Sequence, residues 1–158
     1  MRRRSNATNT GKGTESLIQT ICDEYERQGI ALIKKVDPPV RIAGKRIIFL
    51  ANPFLDYTGC VKGRRIDFEA KSTQKHRLPI NRPKGGVTEK QFTNLRKWHR
   101  AGSIVFVLWE HQNELRLLTI EDLAGVVARG EKSIIWDAAK QIKKGNGFLI
   151  YDFLKEIL

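Results

Sequence analysis

Residues 56–72 of the chain run DYTGCVKGRRIDFEAKS, and its fold class follows from them. They read as two strands joined by a tight turn at Lys62-Gly63-Arg64. Side chains alternate along a strand, so Ile66, Phe68 and Ala70 point to one face and Asp67, Glu69 and Lys71 to the other. Three ionisable groups on one face suit a divalent metal beside a cation better than they suit a core strand. Mg2+ takes oxygen ligands and keeps several waters, so one or two carboxylates plus a backbone carbonyl, here that of Ala70, satisfy the protein side. Lys71 would then reach an attacking water or phosphate oxygens. The plain alternative is an edge strand with a solvated polar face, on which Glu69 and Lys71 form a weak surface pair.

N-terminal to this segment, Leu17, Ile18, Ile21, Cys22 and Tyr25 form one apolar stripe, predicting an amphipathic helix that ends near Gly29. Thr14 is its expected cap, with Glu15 in the first turn. IALIKKV (30–36) and KRIIFL (45–50) read as strands. Residues 73–87 read as a loop interrupted by Pro79, Pro83 and Gly85-Gly86. Thr88 or Glu89 opens a second helix with Phe92, Leu95 and Trp98 inward. SIVFVLWE (103–110) is apolar enough for a central strand covered on both faces. ELRLLTI (114–120) is a further strand and 120–128 a short helix. The tail from Ser133 reads as a basic helix, AAKQIKK (138–144), followed by an apolar end. The expectation is a single α/β domain over 13–158, with a mixed central sheet flanked by helices, preceded by a flexible basic arm over 1–12.

The charge sharpens this. Of the 158 residues, 29 are Lys or Arg and 17 Asp or Glu, a net +12. Residues 51–100 hold twelve of the basic side chains against four acidic ones, whereas 101–158 is close to neutral. An excess so localised points to a polyanion-binding face rather than to general solubility. Carboxylates within such a face would repel phosphate, unless a bound cation reverses the local sign. No apolar run approaches the ~20 residues of a membrane span, and the basic start lacks the apolar segment of a secretory signal. Two cysteines make neither a disulfide framework nor a four-cysteine zinc site, and suit a cytoplasmic chain.

Asp56-Tyr57-Thr58-Gly59, Lys62-Gly63-Arg64 and Ile66-Asp67-Phe68-Glu69-Ala70-Lys71 together resemble the RecU-type Holliday junction resolvases of Gram-positive bacteria and their phages. The resemblance runs from about Gly13 to Trp109. It implies a restriction-endonuclease-like fold and a metal-dependent endodeoxyribonuclease that nicks symmetric strands of four-way DNA junctions in recombination and repair. It also implies Mg2+ as cofactor with Mn2+ able to substitute, branched DNA as partner, and a homodimer with two sites. By the same resemblance Asp56 and Glu69 are metal-binding carboxylates, Lys71 the catalytic lysine, and Glu15 a further acid completing the site. Gln91 matches a glutamine of the family's second helix. Glu15 as an ordinary helix-start acid and Gln91 as a solvated helix residue are the alternatives. The basic side chains expected along DNA are Arg2, Arg3, Arg4 and Lys12 of the arm, Arg41, Lys45 and Arg46, Lys62, Arg64 and Arg65 of the turn, and Lys75 and Arg77, with Gln91 near them.

The chain departs from the family in one place. Between residues 41 and 55 it is shorter than the family's protruding stalk, which leaves two alternatives to a strict junction resolvase. One is a nuclease with other branched or duplex specificity; the other is a non-catalytic junction-binding protein. His76, His99 and His111 lack ligand spacing and read as surface or loop residues. Gly11-Lys12-Gly13-Thr14 lacks the first glycine of a phosphate loop. Trp98, Trp109 and Trp136 read as core or interface, and Cys22 as packing.

Overall fold

The computed structural model of the chain describes residues 7–50 and 52–158. A long helix α1 (Ala7–Arg27) leads into β1 (Ala31–Lys35), a hairpin of β2 (Val40–Ala43) and β3 (Arg46–Phe49), then β4 (Tyr57–Val61) and β5 (Arg64–Thr73). There follow β6 (Arg77–Arg82), β7 (Val87–Thr88), α2 (Glu89–Arg100), β8 (Ile104–His111), β9 (Glu114–Thr119) and α3 (Ile120–Ala128). Two short strands, β10 (Ser133–Ile135) and β11 (Lys140–Gln141), close the list. The main sheet is ordered β1-β4-β5-β8-β9-β11. β5 and β8 are parallel and the other pairings antiparallel, so the sheet is mixed as expected.

Two cores lie on the two faces of this sheet. On the α1 face, Ile18, Ile21, Cys22 and Tyr25 cover Ile66, Phe68, Phe106 and Leu108. On the α2–α3 face, Phe92, Leu95, Leu123 and Val126 cover Val105, Val107, Trp109 and Leu118. Alternation along β8 feeds both cores, which is why its whole length is apolar. β5 is different: its α1 face is apolar, while Asp67, Glu69 and Lys71 face α2 among residues of the second core. Gly59 lets β1 and β4 close up at Ile33↔Gly59, since a Cβ there would stand 2.2 Å from the Leu32 carbonyl oxygen. The β4–β5 turn is the expected one, with Lys62 and Gly63 both at positive φ.

Four expectations are corrected. α1 begins at Ala7, so Thr14 is no cap but a buried residue one face of which meets β8, and Glu15 is not in the first turn. Residues 7–12 are therefore helical rather than part of an arm. The loop 73–87 contains β6 and β7, which with β10 build a separate three-stranded sheet. Pro79 argues against a strand, yet Leu78 and Ile80 on either side alternate inward. AAKQIKK is not helical: only Ala139 and Ile142 bury, and Lys140–Gln141 pair with the free edge of β9. The apolar end docks in the chain's own core, where Phe153 meets Tyr25, Phe68 and Phe106 edge-on or tilted. Among the described residues no helix is long and apolar enough to cross a membrane.

Candidate active site

The site is a fork between strands. β4 and β5 pair from Val61↔Arg64 down to Tyr57↔Phe68 and no further, while β5 runs on beside β8 to Thr73. Asp56 thus arrives opposite Glu69 where β4 has ended. Its main-chain carbonyl accepts from Val36 N at 2.8 Å, and its Oδ2 accepts from the freed amide of Ala70 at 3.0 Å.

Glu69 is 2% exposed and faces α2. Thr88 and Gln91 form a capping box at the start of α2, and the glutamine amide is used three ways. Its Oε1 accepts from Thr88 N (3.1 Å) and from Lys71 Nζ (2.9 Å), and its Nε2 donates to Glu69 Oε2 (3.0 Å). Lys71 Nζ itself lies 3.7 Å from Glu69 Oε2. Burial first, and the nearby Asp56 carboxyl second, push Glu69 up from 4.5 to about 9, against the pull of Lys71. The Asp56 carboxyl raises Glu69 both through its charge and by favouring the protonated form that can hydrogen-bond to it.

Around the fork lies a cleft of about 80 Å3, with Thr14, Glu15, Asp56, Lys71 and Ser72 in its walls. That is room for a few waters or a hydrated ion, not for a nucleotide. Glu15 reaches this cleft but its carboxylate is engaged by Lys35 Nζ at 2.8 Å, both side chains being well exposed. Among the described residues no three His, Cys, Asp or Glu side chains are grouped so as to hold a metal. The acids brought together are therefore Asp56 and Glu69, with Glu15 at the rim.

Asp67 shares a face with Glu69 but not its surroundings. It is fully buried, accepting from Thr58 Oγ1 (2.8 Å), Ser103 Oγ (2.5 Å) and the Arg65 guanidinium at 2.8 and 3.1 Å. Arg65 also lies 3.9 Å over the Trp98 ring, so this member of the expected DNA-contacting set is committed within the fold. Lys12, Arg41, Lys45, Arg46, Lys62, Arg64, Lys75 and Arg77 are all exposed, and Arg2, Arg3 and Arg4 lie outside the described residues.

A family model described as "Recombination protein U" (RecU) matches residues 9–155. The chain belongs to that family. It is 31% identical over 149 residues to a Holliday junction resolvase RecU of Streptococcus thermophilus, covering 84% of this chain and 73% of the relative. To those of Bacillus pumilus and Streptococcus oralis it is 28% and 31% identical over 130 and 132 residues, 75% of this chain in each case. The aligned stretch spans 62% and 65% of those two relatives, so the chain covers under two thirds of their length. A solved structure of Hjc, a Holliday junction resolvase of Archaeoglobus fulgidus, overlays with a TM-score of 0.47 at 12% identity, covering 69% of this chain and 74% of that one.

Two features of this recombination protein U family member escaped the sequence. Glu110 is 8% exposed and accepts from Ser72 Oγ (2.6 Å), Thr14 Oγ1 (3.2 Å) and Asn113 N (2.7 Å), tying α1 to the end of β5 beside Lys71. Its signal was a lone acid ending an apolar strand. His111 is buried rather than on the surface, with Nδ1 2.9 Å from Thr73 O and its ring 5.4 Å from that of His76. The β2–β3 hairpin is exposed throughout, including Ile42 at 76% and Phe49 at 72%.

Proposed function

We propose that this chain is a Holliday junction resolvase, a metal-dependent endodeoxyribonuclease that nicks symmetric strands of four-way DNA junctions. The observation that carries this reading is the fork: Asp56 in the wall of a small cleft, Glu69 buried opposite it, and a lysine held beside them by a capping glutamine. The donor set fits a hard divalent cation. Both acids supply oxygen, and burial together with the neighbouring Asp56 carboxyl raises Glu69 to about 9, a penalty that a bound cation would relieve.

Asp56 and Glu69 are the residues that would hold Mg2+, or Mn2+ in its place, with Glu15 joining them on release from Lys35. When bound, the metal supplies an acidified water and charge neutralisation at the scissile phosphate. The protein does the rest. Ala70 N fixes one oxygen of Asp56, and Gln91 Nε2 fixes one oxygen of Glu69. Gln91 Oε1 holds the Lys71 ammonium at the cleft, where it orients the nucleophile or stabilises charge on the phosphate oxygens as it develops. Its cation also favours the ionised form of Glu69, so Lys71 helps ready that ligand.

The exposed Lys12, Arg41, Lys45, Arg46, Lys62 and Arg64, together with Arg2, Arg3 and Arg4, would position phosphate backbones without reading bases. Two symmetric nicks need two sites, hence a homodimer. A restriction-endonuclease-like ancestry and a cytoplasmic location belong to the same reading. The test is a cleavage panel on denaturing gels: four-way junction, replication fork and linear duplex, each with Mg2+. The proposal expects paired, symmetry-related nicks in the junction and little cutting of the duplex. Equal cutting of all three would make it a nuclease of other specificity, and tight junction binding without cutting would make it a binding protein.

A further inference from the structure

Beyond the cleft, Ser72 is also a wall of a second and larger groove, of about 510 Å3, between the end of β5 and the β6–β10 pair. Ser72 and Thr73 form one end, Lys75, Arg77 and Pro79 one side, and Ser133 the other. Two cations and no acid line it. Among the described residues neither Lys75 nor Arg77 has a carboxylate partner, although most other charged side chains near the site are paired. Instead, Arg77 Nη1 donates to the uncharged Ser133 Oγ at 2.8 Å, which aims the guanidinium and leaves its charge uncancelled.

The turn that carries Lys75 is held firmly. Thr73 Oγ1 donates to Lys75 O at 2.8 Å and accepts from Trp109 Nε1 at 2.8 Å, and His111 Nδ1 lies 2.9 Å from Thr73 O. Trp109 and His111 are both buried, so the groove's cationic side rests on the second core. Such a site is built before its ligand arrives, which lowers the ordering cost of binding.

We infer that this groove binds the DNA strand immediately beside the scissile bond, with Arg77 and Lys75 on its non-bridging phosphate oxygens and Pro79 against the sugars. The inference rests on the nuclease reading for what lies in the cleft, and adds where the cleaved strand runs. Ser72 is the junction between the two: a strand with one phosphate at Lys71 must pass it to reach Arg77. Ser133 is a positioning residue that acts through Arg77.

The probe is a labelled synthetic four-way junction, bound in EDTA over a series of salt concentrations. Each lost phosphate contact lowers the slope of log K against log salt by about 0.9, so Arg77→Ala should lower it by about 0.9 and Lys75→Ala/Arg77→Ala by about 1.8. Arg77→Lys should restore most of the slope, which a folding defect would not. Single neutral methylphosphonates are then scanned along each strand. In the wild type, one or two substitutions next to the nick site, on one side only, should weaken binding. In Arg77→Ala that local penalty should vanish, and in Ser133→Ala it should shrink. An equal penalty in wild type and Arg77→Ala, or an unchanged salt slope, overturns the groove. Wild-type protein that shows an Arg77-dependent penalty confined to one or two phosphates but cuts no DNA in Mg2+ overturns the nuclease reading and leaves the groove as a DNA site.

Discussion

Gln91→Met separates a helix cap from a working part of the site. The substitution keeps side-chain length and volume while removing the acceptor for Thr88 N and Lys71 Nζ and the donor to Glu69 Oε2. Half a capping box is worth about 1 kcal/mol. A hydrogen bond to a charged group such as Lys71 contributes roughly 1.5–3 kcal/mol when intact, part of which solvation of the freed ammonium returns. The expected loss is about 2–3 kcal/mol, or a melting temperature lower by roughly 4–10 °C for a domain of this size. Thr88→Ala is the control, because it removes the other half of the box at about 1 kcal/mol and leaves the Gln91 amide at the site. Single-turnover cleavage of a four-way junction, followed against Mg2+ concentration, is the assay. A Lys71 ammonium displaced by about 1 Å should lower the rate about 100-fold, with junction affinity nearly unchanged. Thr88→Ala should cut at close to the wild-type rate. If Gln91→Met melts lower but cleaves as wild type does, the glutamine is a cap and nothing more, and the positioning argument for Lys71 is wrong.

Glu69 makes a pH prediction. Its folded-state value, about 9, lies above the ordinary 4.5, so the protonated carboxyl is the form the fold favours. The stability it contributes is complete below pH 4.5 and is lost as pH rises through 9. Metal-free wild type should therefore melt progressively lower from pH 5 to pH 9, and Glu69→Gln should flatten that slope; parallel curves would refute the burial of this carboxyl. Trp98→Ala removes the ring that Arg65 covers at 3.9 Å and Phe54 stacks on at 6.0 Å, and should cost about 2 kcal/mol in chemical denaturation, with Trp98→Phe recovering much of it. Replacing hairpin residues 41–48 by a short glycine linker should move the melting temperature by no more than about 2 °C, since all of β2 and β3 is exposed. The same deletion should narrow the preference for junction over duplex in competition binding, and an unchanged preference would show that the hairpin takes no part in selecting the substrate.

Alternation in Ile66–Lys71 sorted the apolar from the ionisable face, and the uninterrupted apolar run of β8 placed it centrally; both depend only on strand geometry. The same rule does not distinguish Asp67 from Glu69. Sharing a face with Glu69 put it two residues up the strand, where β4 still pairs and Arg65, Thr58 and Ser103 close over it. A face is local, whereas an environment is set by which neighbouring strand has ended. Gln91 was visible as a helix residue, but its hold on Lys71 and Glu69 exists only because the capping box turns its amide toward β5. Residues 138–144 carry helix-forming side chains with no apolar stripe, so the open edge of β9 captured them instead. Glu15 reaches the cleft by a helix longer than its capping signals suggested, and meets Lys35 there, a contact that no spacing along the chain foretells.

The Asp56–Glu69 fork, with a divalent cation, is proposed to cut DNA at a branch point. Asp56→Asn keeps an oxygen to accept from Ala70 N and the shape of the loop, but removes the charge. A strand-resolved cleavage assay on a synthetic four-way junction, comparing wild type with Asp56→Asn in Mg2+ and in EDTA, tests it most directly. Wild type should nick the junction symmetrically in Mg2+ alone, and Asp56→Asn should bind the junction without nicking it. Nicking by Asp56→Asn at the wild-type rate, or by wild type in EDTA, would contradict that role of the fork.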